Sequence, residues 1–273
     1  MIIQSLSRCL LLLLALPAHA CVELSGDVRQ GSLLWGQVAP GSQVLLDDEA
    51  LTVSEQGIFV LGFGRDETGS RTLSVAGAEE CQVTLDIAGR EYRIQRVEGV
   101  PQRTVTPDPK DLERIRREAA LVASARKQSS GTADFAGGFA WPVTGPISGV
   151  YGSQRVYNGT PGRPHFGVDV AVPTGTPITT PAPGVVTLAE PDLFYSGGTI
   201  IVDHGMDVSS SFLHLSEVTV EVGQRVEPGD IIGKVGSTGR ATGPHLDWRM
   251  NWRNRRVDPQ LLAPPMPTRT TGE

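Results

Sequence analysis

Glycine and proline interrupt this chain so often that no bundle of long helices can be built from it. There are 32 glycines and 20 prolines among 273 residues, about a fifth of the chain. Glycine opens turns that need positive φ, while proline fixes φ and removes a backbone donor, so frequent use of both favours short strands joined by turns. The apolar fraction is 39% and reaches about half when glycine is added, the level of a globular protein rather than a disordered chain. Acidic residues outnumber Lys and Arg 30 to 24, for a formal charge of −6. No nucleic-acid partner is expected, because counterion release needs clustered positive charge.

Arg8 precedes the apolar run Cys9–Leu16, and Pro17 and Ala18-His19-Ala20 follow before Cys21. A cationic start, a short apolar core and small residues at a cleavage point describe a secretory signal peptide over residues 1–20. The run is shorter than the roughly 20 apolar residues that cross a bilayer, and no other segment reaches that length, so no membrane span is expected. The mature protein is expected to be exported and periplasmic. Lipid attachment through Cys21 is the other reading, but Ala18-His19-Ala20 departs from the Leu-Ala-Gly that usually precedes a lipidated cysteine. In an oxidising compartment the two remaining cysteines, Cys21 and Cys81, most simply form one disulfide. That bridge would close a loop of roughly 60 residues and stabilise the fold by about 4 kcal/mol in the chain-entropy model.

Residues 21–100 alternate apolar and polar between glycine turns, as in Gly57-Ile58-Phe59-Val60-Leu61 and Tyr92-Arg93-Ile94-Gln95-Arg96-Val97. This spacing predicts a small β-sandwich. Residues 101–138 form a linker. Within it Leu112, Ile115, Ala119 and Val122 fall at helical spacing, which predicts a helix over about 108–127, with Pro109 and Asp111 at its start. The Ser/Gly-rich stretch from Gln128 to Gly138 reads as a hinge or flexible linker. Short strands return over 139–262, and the proline-bearing tail, 263–273, is expected to be disordered. The expected class is mainly β: an N-terminal sandwich, a helical linker and a C-terminal region of short strands.

Four histidines survive removal of residues 1–20, and all lie between His165 and His245, several beside an aspartate. Such crowding is how a metal site looks in sequence. In His165-Phe166-Gly167-Val168-Asp169 the two donors would stand about 13 Å apart on a flat strand, too far to share an ion, unless Gly167 permits a bulge. In His245-Leu246-Asp247 the two side chains share one strand face about 6.6 Å apart. His214 sits in the apolar run Phe212-Leu213-His214-Leu215. His204, in Asp203-His204-Gly205, reads as a structural or exposed turn residue. Trp248 and Trp252 read as packing, and Arg249, Arg253, Arg255 and Arg256 as a basic patch.

Taken in order, these pieces resemble the lysostaphin/LytM-type zinc endopeptidases of bacterial cell walls over residues 139–262. The matching segments are His165-x-x-x-Asp169 with Ala171-Val172-Pro173-Thr174-Gly175, Ile200-Ile201-Val202-Asp203-His204-Gly205, Phe212-Leu213-His214-Leu215, Gly236-Ser237-Thr238-Gly239-Arg240 and Thr242-Gly243-Pro244-His245-Leu246. The resemblance implies an open, glycine-rich β fold, one zinc ion and hydrolysis of peptide cross-links or stems in peptidoglycan. It implies His165 and Asp169 as metal ligands and His214 and His245 as the histidines that handle the attacking water. Tyr151, Arg155 and Asn158, in a loop ahead of His165, are expected to contact substrate. Val222-Gly223-Gln224-Arg225-Val226 also resembles lipoyl and biotinyl carriers, a relation of fold, since Lys234 lies inside a strand pattern.

One position departs from the family. The family motif ends His-x-His, whereas here the second place is Asp247. An aspartate can ligate zinc, but two carboxylates would cancel the ion's charge and let harder ions such as Mn²⁺ compete. The sequence therefore carries two functional readings: a working peptidase with His165, Asp169 and Asp247 as ligands, or an impaired metal-binding wall protein. The second would bind peptidoglycan or activate a wall amidase, with division or elongation proteins as partners. Either is expected to be monomeric.

Overall fold

The computed structural model describes residues 22–77, 80–97, 108–157 and 159–267. The expected signal peptide, Cys21 with its bridge to Cys81, and Asn158 therefore lie outside the described residues.

The N-terminal module holds β1 (Leu33–Gln37), β2 (Gln43–Leu46), β3 (Glu49–Leu51), β4 (Ile58–Gly62), β5 (Ser70–Ala76) and β6 (Cys81–Asp86). β1 and β4 form one antiparallel pair, and the order β3-β2-β5-β6 forms a second sheet. Alternation drives their packing: Val44 and Leu46 on β2 and Leu73 and Val75 on β5 are buried, and they join Leu34, Phe59 and Leu61 from the first sheet in one core.

β7 (Ile94–Val97) was expected in this sandwich, but it lies elsewhere. It runs parallel to β9 (Gln154–Tyr157), which hairpins onto β10 (Thr160–Pro161), so the three make a separate sheet between module and C-terminal domain. Gln95 reads as an ordinary strand residue, and nothing local in the sequence records a partner some sixty positions away.

α1 (Leu112–Ala125) lies across one face of the C-terminal sheet, with Val122 and Ala125 packed on Leu188, Leu193 and Ile201. Glu118 anchors it by accepting the Phe194 N–H at 2.7 Å, and Arg114 donates to the Asp192 carbonyl at 2.7 Å. The stretch after α1, expected to be a hinge, is a strap. Ser130 N–H donates to Asp203 at 2.8 Å, Arg225 holds Asp134 through two bonds of 2.6 and 3.1 Å, and Phe135 is fully buried against Trp35. The stretch lies close over the β14–β15 turn: Ser129 Oγ accepts the Asp207 N–H and Ser130 O the Met206 N–H, and a Cβ on Gly205 would stand 1.9 Å from Thr132 O.

The C-terminal domain adds β8 (Ile147–Gly149), β11 (Val168–Val170), β12 (Pro177–Thr179), β13 (Gly184–Leu193), β14 (Gly197–Asp203), β15 (Val208–Val218), β16 (Arg225–Val226), β17 (Ile231–Val235), β18 (Leu246–Trp252) and β19 (Arg255–Val257). Its sheet runs β16-β13-β14-β15-β18-β11-β8, with β12 and β17 paired off β15 and β19 off β18. Register places Asp247, Arg249 and Asn251 of β18 opposite Leu213, Ser211 and Ser209 of β15, on the face that α1 partly covers. Phe212, Trp248, Met250 and Trp252 fill the other face and are wholly buried. The tail is held at its start: Trp141 Nε1 donates to the Pro264 carbonyl at 2.7 Å.

Candidate active site

His165 lies just ahead of β11, in backbone tied to the β8–β9 turn: its N–H donates to Ser153 O and its carbonyl accepts from Gly152 N–H, both at 2.8 Å. The strand proper starts at Val168, so the 13 Å separation expected on a flat strand does not arise. Nε2 of His165 stands 3.1 Å from Oδ1 of Asp169. Asp169 and Asp247 are cross-strand partners on β11 and β18, and donor atoms of His165, Asp169 and Asp247 all lie within 4.8 Å of one another. Two glycines make room for the carboxylates. A Cβ on Gly149 would stand 2.1 Å from Asp169 Oδ2, and one on Gly167 would stand 2.5 Å from Asp247 Oδ1.

His165 Nε2 and Asp169 Oδ1 are buried with no hydrogen-bond partner. Buried polar atoms are normally satisfied; two orphans converging with a third donor fit a divalent cation. An imidazole nitrogen and two carboxylates are donor types that zinc takes, and His165, Asp169 and Asp247 would hold it.

His214 and His245 face this group. Their ring centroids are 4.9 Å apart, and His245 Nε2 lies 3.9 Å from Asp169 Oδ1. Each Nδ1 is 2.8 Å from a carbonyl, Thr238 O for His214 and Gly243 O for His245, which places the proton on Nδ1 and leaves Nε2 with a lone pair. His214 has φ 67, an uncommon conformation for a non-glycine residue, and is held there by donating its N–H to Ser196 O. Thr238 supports it in turn, its hydroxyl donating to Leu215 O at 2.8 Å while accepting Gly198 N–H at 2.9 Å.

Sequence reasoning placed Arg249 in a basic patch and missed its role here. Its Nε is 2.9 and 3.1 Å from the two oxygens of Asp247, and its Nη2 is 2.5 Å from Oδ2. The i, i+2 spacing on one strand face was the available signal. Burial pushes Asp247 up, but Arg249 outweighs it and holds the carboxyl below its usual range. Burial opposes charge on His165 too, yet the Asp169 carboxylate 3.1 Å away and the field of Asp247 raise it. His214 is lowered, chiefly by burial, and is neutral near pH 7.

The expected substrate contacts fare differently. Tyr151 is buried, and its hydroxyl donates to Arg256 O at 2.7 Å, so it is a packing residue rather than a substrate contact. Arg155 lies exposed on β9, its Nε donating to Gln95 of β7 at 3.2 Å. His204 is wholly buried, between Pro183 O and the Ser210 hydroxyl, and is structural rather than exposed.

The model of peptidase family M23 matches residues 163–259, which contain all five of these histidines and aspartates. A crystal structure of an M23-family protein from Pseudomonas aeruginosa superposes with a TM-score of 0.66 at 32% identity, covering 86% of this chain and 95% of that one. The peptidoglycan DD-endopeptidase ShyA of Vibrio cholerae is 41% identical over 103 residues, 38% of this chain and 24% of its own. The DD-carboxypeptidase/endopeptidase Mpg of Neisseria meningitidis is 38% identical over 111 residues, 41% of this chain and 25% of its own. The chain thus spans about a quarter of the length of these curated relatives. The likeness to the Pseudomonas structure runs through the N-terminal module as well as the sheet domain, and on it the chain belongs to peptidase family M23.

Proposed function

We propose that this protein is an exported zinc endopeptidase that hydrolyses peptide cross-links or stem peptides of peptidoglycan. The observation that carries this reading is the pair of orphaned donors, His165 Nε2 and Asp169 Oδ1, beside Asp247 and facing two histidines with free Nε2 atoms. A bound zinc would supply a Lewis acid for the scissile carbonyl. His214, kept neutral by burial, accepts the proton of the attacking water. His245 stands beside it, where, once protonated, it donates to the charge that develops on the carbonyl oxygen. The names of ShyA and Mpg support the substrate class. The signal-peptide pattern over residues 1–20 supports export to a periplasm, where a Cys21–Cys81 bridge would form, and the same reading takes the protein as a monomer.

Arg249 favours a second reading. With both oxygens of Asp247 engaged, the third ligand is partly withdrawn, as in an impaired wall protein that binds peptidoglycan or activates an amidase. Metal content and digestion of purified sacculi by residues 21–273 separate the two. Stoichiometric zinc and released muropeptides, with product reduced at least a hundredfold by His214→Ala and by His245→Ala while zinc is retained, establish the peptidase. Metal without product, with activity gained in Asp247→His, establishes the second reading.

A further inference from the structure

His214 has a positive φ of 67, and a non-glycine residue keeps such a conformation only where its surroundings over-determine it. Two hydrogen bonds do so here. Ser196 O, which accepts the His214 N–H at 2.8 Å, belongs to the β13–β14 turn, Phe194-Tyr195-Ser196. Thr238 O, which accepts from His214 Nδ1 at 2.8 Å, belongs to the loop between β17 and β18.

Turn and loop are interlocked. Tyr195 O accepts the Arg240 N–H at 2.9 Å, and the Thr238 hydroxyl accepts the Gly198 N–H at 2.9 Å. The Arg240 guanidinium lies over the Tyr195 ring, 4.8 Å from its centroid. There is no slack between the two backbones. A Cβ on Gly197 would stand 2.0 Å from Thr238 Oγ1, and one on Gly239 would stand 2.4 Å from Gly197 N. A displacement of the turn is therefore passed to the loop, and so to both groups that fix His214.

The outer end of this unit is held by α1. Glu118 Oε2 accepts the Phe194 N–H at 2.7 Å, while its Oε1 accepts from Arg114 Nε at 2.6 Å. Arg114 also donates to Asp192, at the end of β13. The Glu118 side chain is only 12% exposed, so its charge-assisted bond to the turn is largely screened from water. Three consecutive residues thus each commit one backbone group to a different element: Phe194 N–H to α1, Tyr195 O to the loop, and Ser196 O to β15. The first of these ties comes from outside residues 163–259, the stretch that carries the family likeness.

We propose that Glu118 is a positioning residue: it sets the β13–β14 turn, and the turn sets the imidazole of His214 against the metal-ligand group. This rests on the peptidase reading. Glu118 touches none of the reacting atoms. Its removal misplaces the group that takes the proton, which lowers kcat and leaves substrate binding alone.

The test compares zinc-loaded residues 21–273 with Glu118→Ala and Glu118→Gln, using a soluble cross-linked muropeptide as substrate. Alanine favours the helix but leaves the Phe194 N–H without its acceptor. Glutamine keeps an oxygen for that N–H and leaves Arg114 to Asp192. In Glu118→Ala, kcat is expected to fall at least tenfold with KM within twofold of native, and Glu118→Gln is expected to recover kcat to within threefold of native. A second readout does not depend on turnover. Long-range ¹H–¹⁵N spectra report the tautomer of each histidine, with His214 assigned by its loss in His214→Ala. The His214 signal is expected to leave the Nδ1–H form in Glu118→Ala and to return to it in Glu118→Gln. His204, fixed separately by Pro183 O and the Ser210 hydroxyl, should give the same signal throughout. An unchanged His214 signal in Glu118→Ala, a native kcat in that variant, or an equal loss in both variants would overturn the assignment. Movement of His204 together with His214 would also overturn it, since α1 would then only support the fold. If no form cuts the muropeptide but the His214 signal responds as expected, the peptidase reading fails and Glu118 still positions His214.

Discussion

Asp247 and Arg249 together carry no net charge, as a neutral histidine does. Paired through three contacts of 2.5 to 3.1 Å, they offer the metal position a ligand whose charge is already answered by its neighbour. The apparent excess of carboxylate that Asp247 brings is therefore smaller than the sequence implies. Removing Arg249 should expose the difference. In Arg249→Met, Asp247, only 2% exposed, is left as a buried lone carboxylate in the metal-free protein. Stability without metal should fall by roughly 3 kcal/mol. Zinc should then raise the melting temperature more than it does in the native protein, because the ion supplies the missing countercharge. Melting curves with and without zinc check both halves. That His165, Asp169, His214 and His245 stand together was legible because each sits in a motif whose order survives in the chain. Arg249 was not, because an i, i+2 pair means a shared face only once the stretch is known to be a strand. Tyr151 was misplaced because a tyrosine near a site is equally able to point its hydroxyl into the core.

At the scale of elements, the strap and the β14–β15 hairpin are joined around a histidine that must stay neutral. His204 is wholly buried, donates from Nδ1 to Pro183 O at 2.6 Å and packs edge-on against Phe139. Full burial lowers it from 6.5 to about 4. The unfolded chain therefore takes up a proton near pH 6.5 that the folded protein refuses until about pH 4. The stability this contributes is present above pH 6.5 and is lost as pH falls through that window, by about 3 kcal/mol in all. Chemical denaturation of His204→Asn should show a shallower decline between pH 6.5 and 4 than the native protein does. An equal slope in the two would mean that other groups govern the acid limb. The helix itself could be read from its 3.6-residue period. What it covers could not: the Ser/Gly composition of residues 128–138 describes a flexible segment and a close-fitting one equally well.

Across the whole molecule, module and sheet domain share one apolar core and several buried polar ties. Arg90 Nη2 meets Asp258 Oδ2 at 2.8 Å with Asp258 only 1% exposed, Arg65 Nε donates to Gly152 O at 2.9 Å, and Asp258 N–H donates to Gly31 O at 2.7 Å. Burial raises Asp258, and Arg90 is the charge that offsets it. Arg90→Ala should cost roughly 3 kcal/mol in a denaturant melt by stranding that carboxylate. The same continuity bears on whether the module restrains the site. Its β7 braces β9, the strand beside the segment that positions His165, so residues 139–267 alone should melt lower than residues 22–267 and digest sacculi no faster. Faster digestion by the fragment would show that the module blocks the cleft. The mainly β architecture was legible from frequent glycine and proline together with apolar/polar alternation; the way its parts lock together was not, because every tie named here joins residues more than fifty positions apart.

The parallel pairing of β7 with β9 has a consequence for assembly. During synthesis β7 is complete well before β9 exists, so its edge waits while the segments carrying α1 and β8 follow. An unpaired strand edge is a template for any chain that offers the right partner. At high protein concentration that partner can be supplied by a neighbour in place of the same molecule. Two copies that exchange modules in this way would each rebuild every contact described above, and would be native in all respects except which chain each half came from.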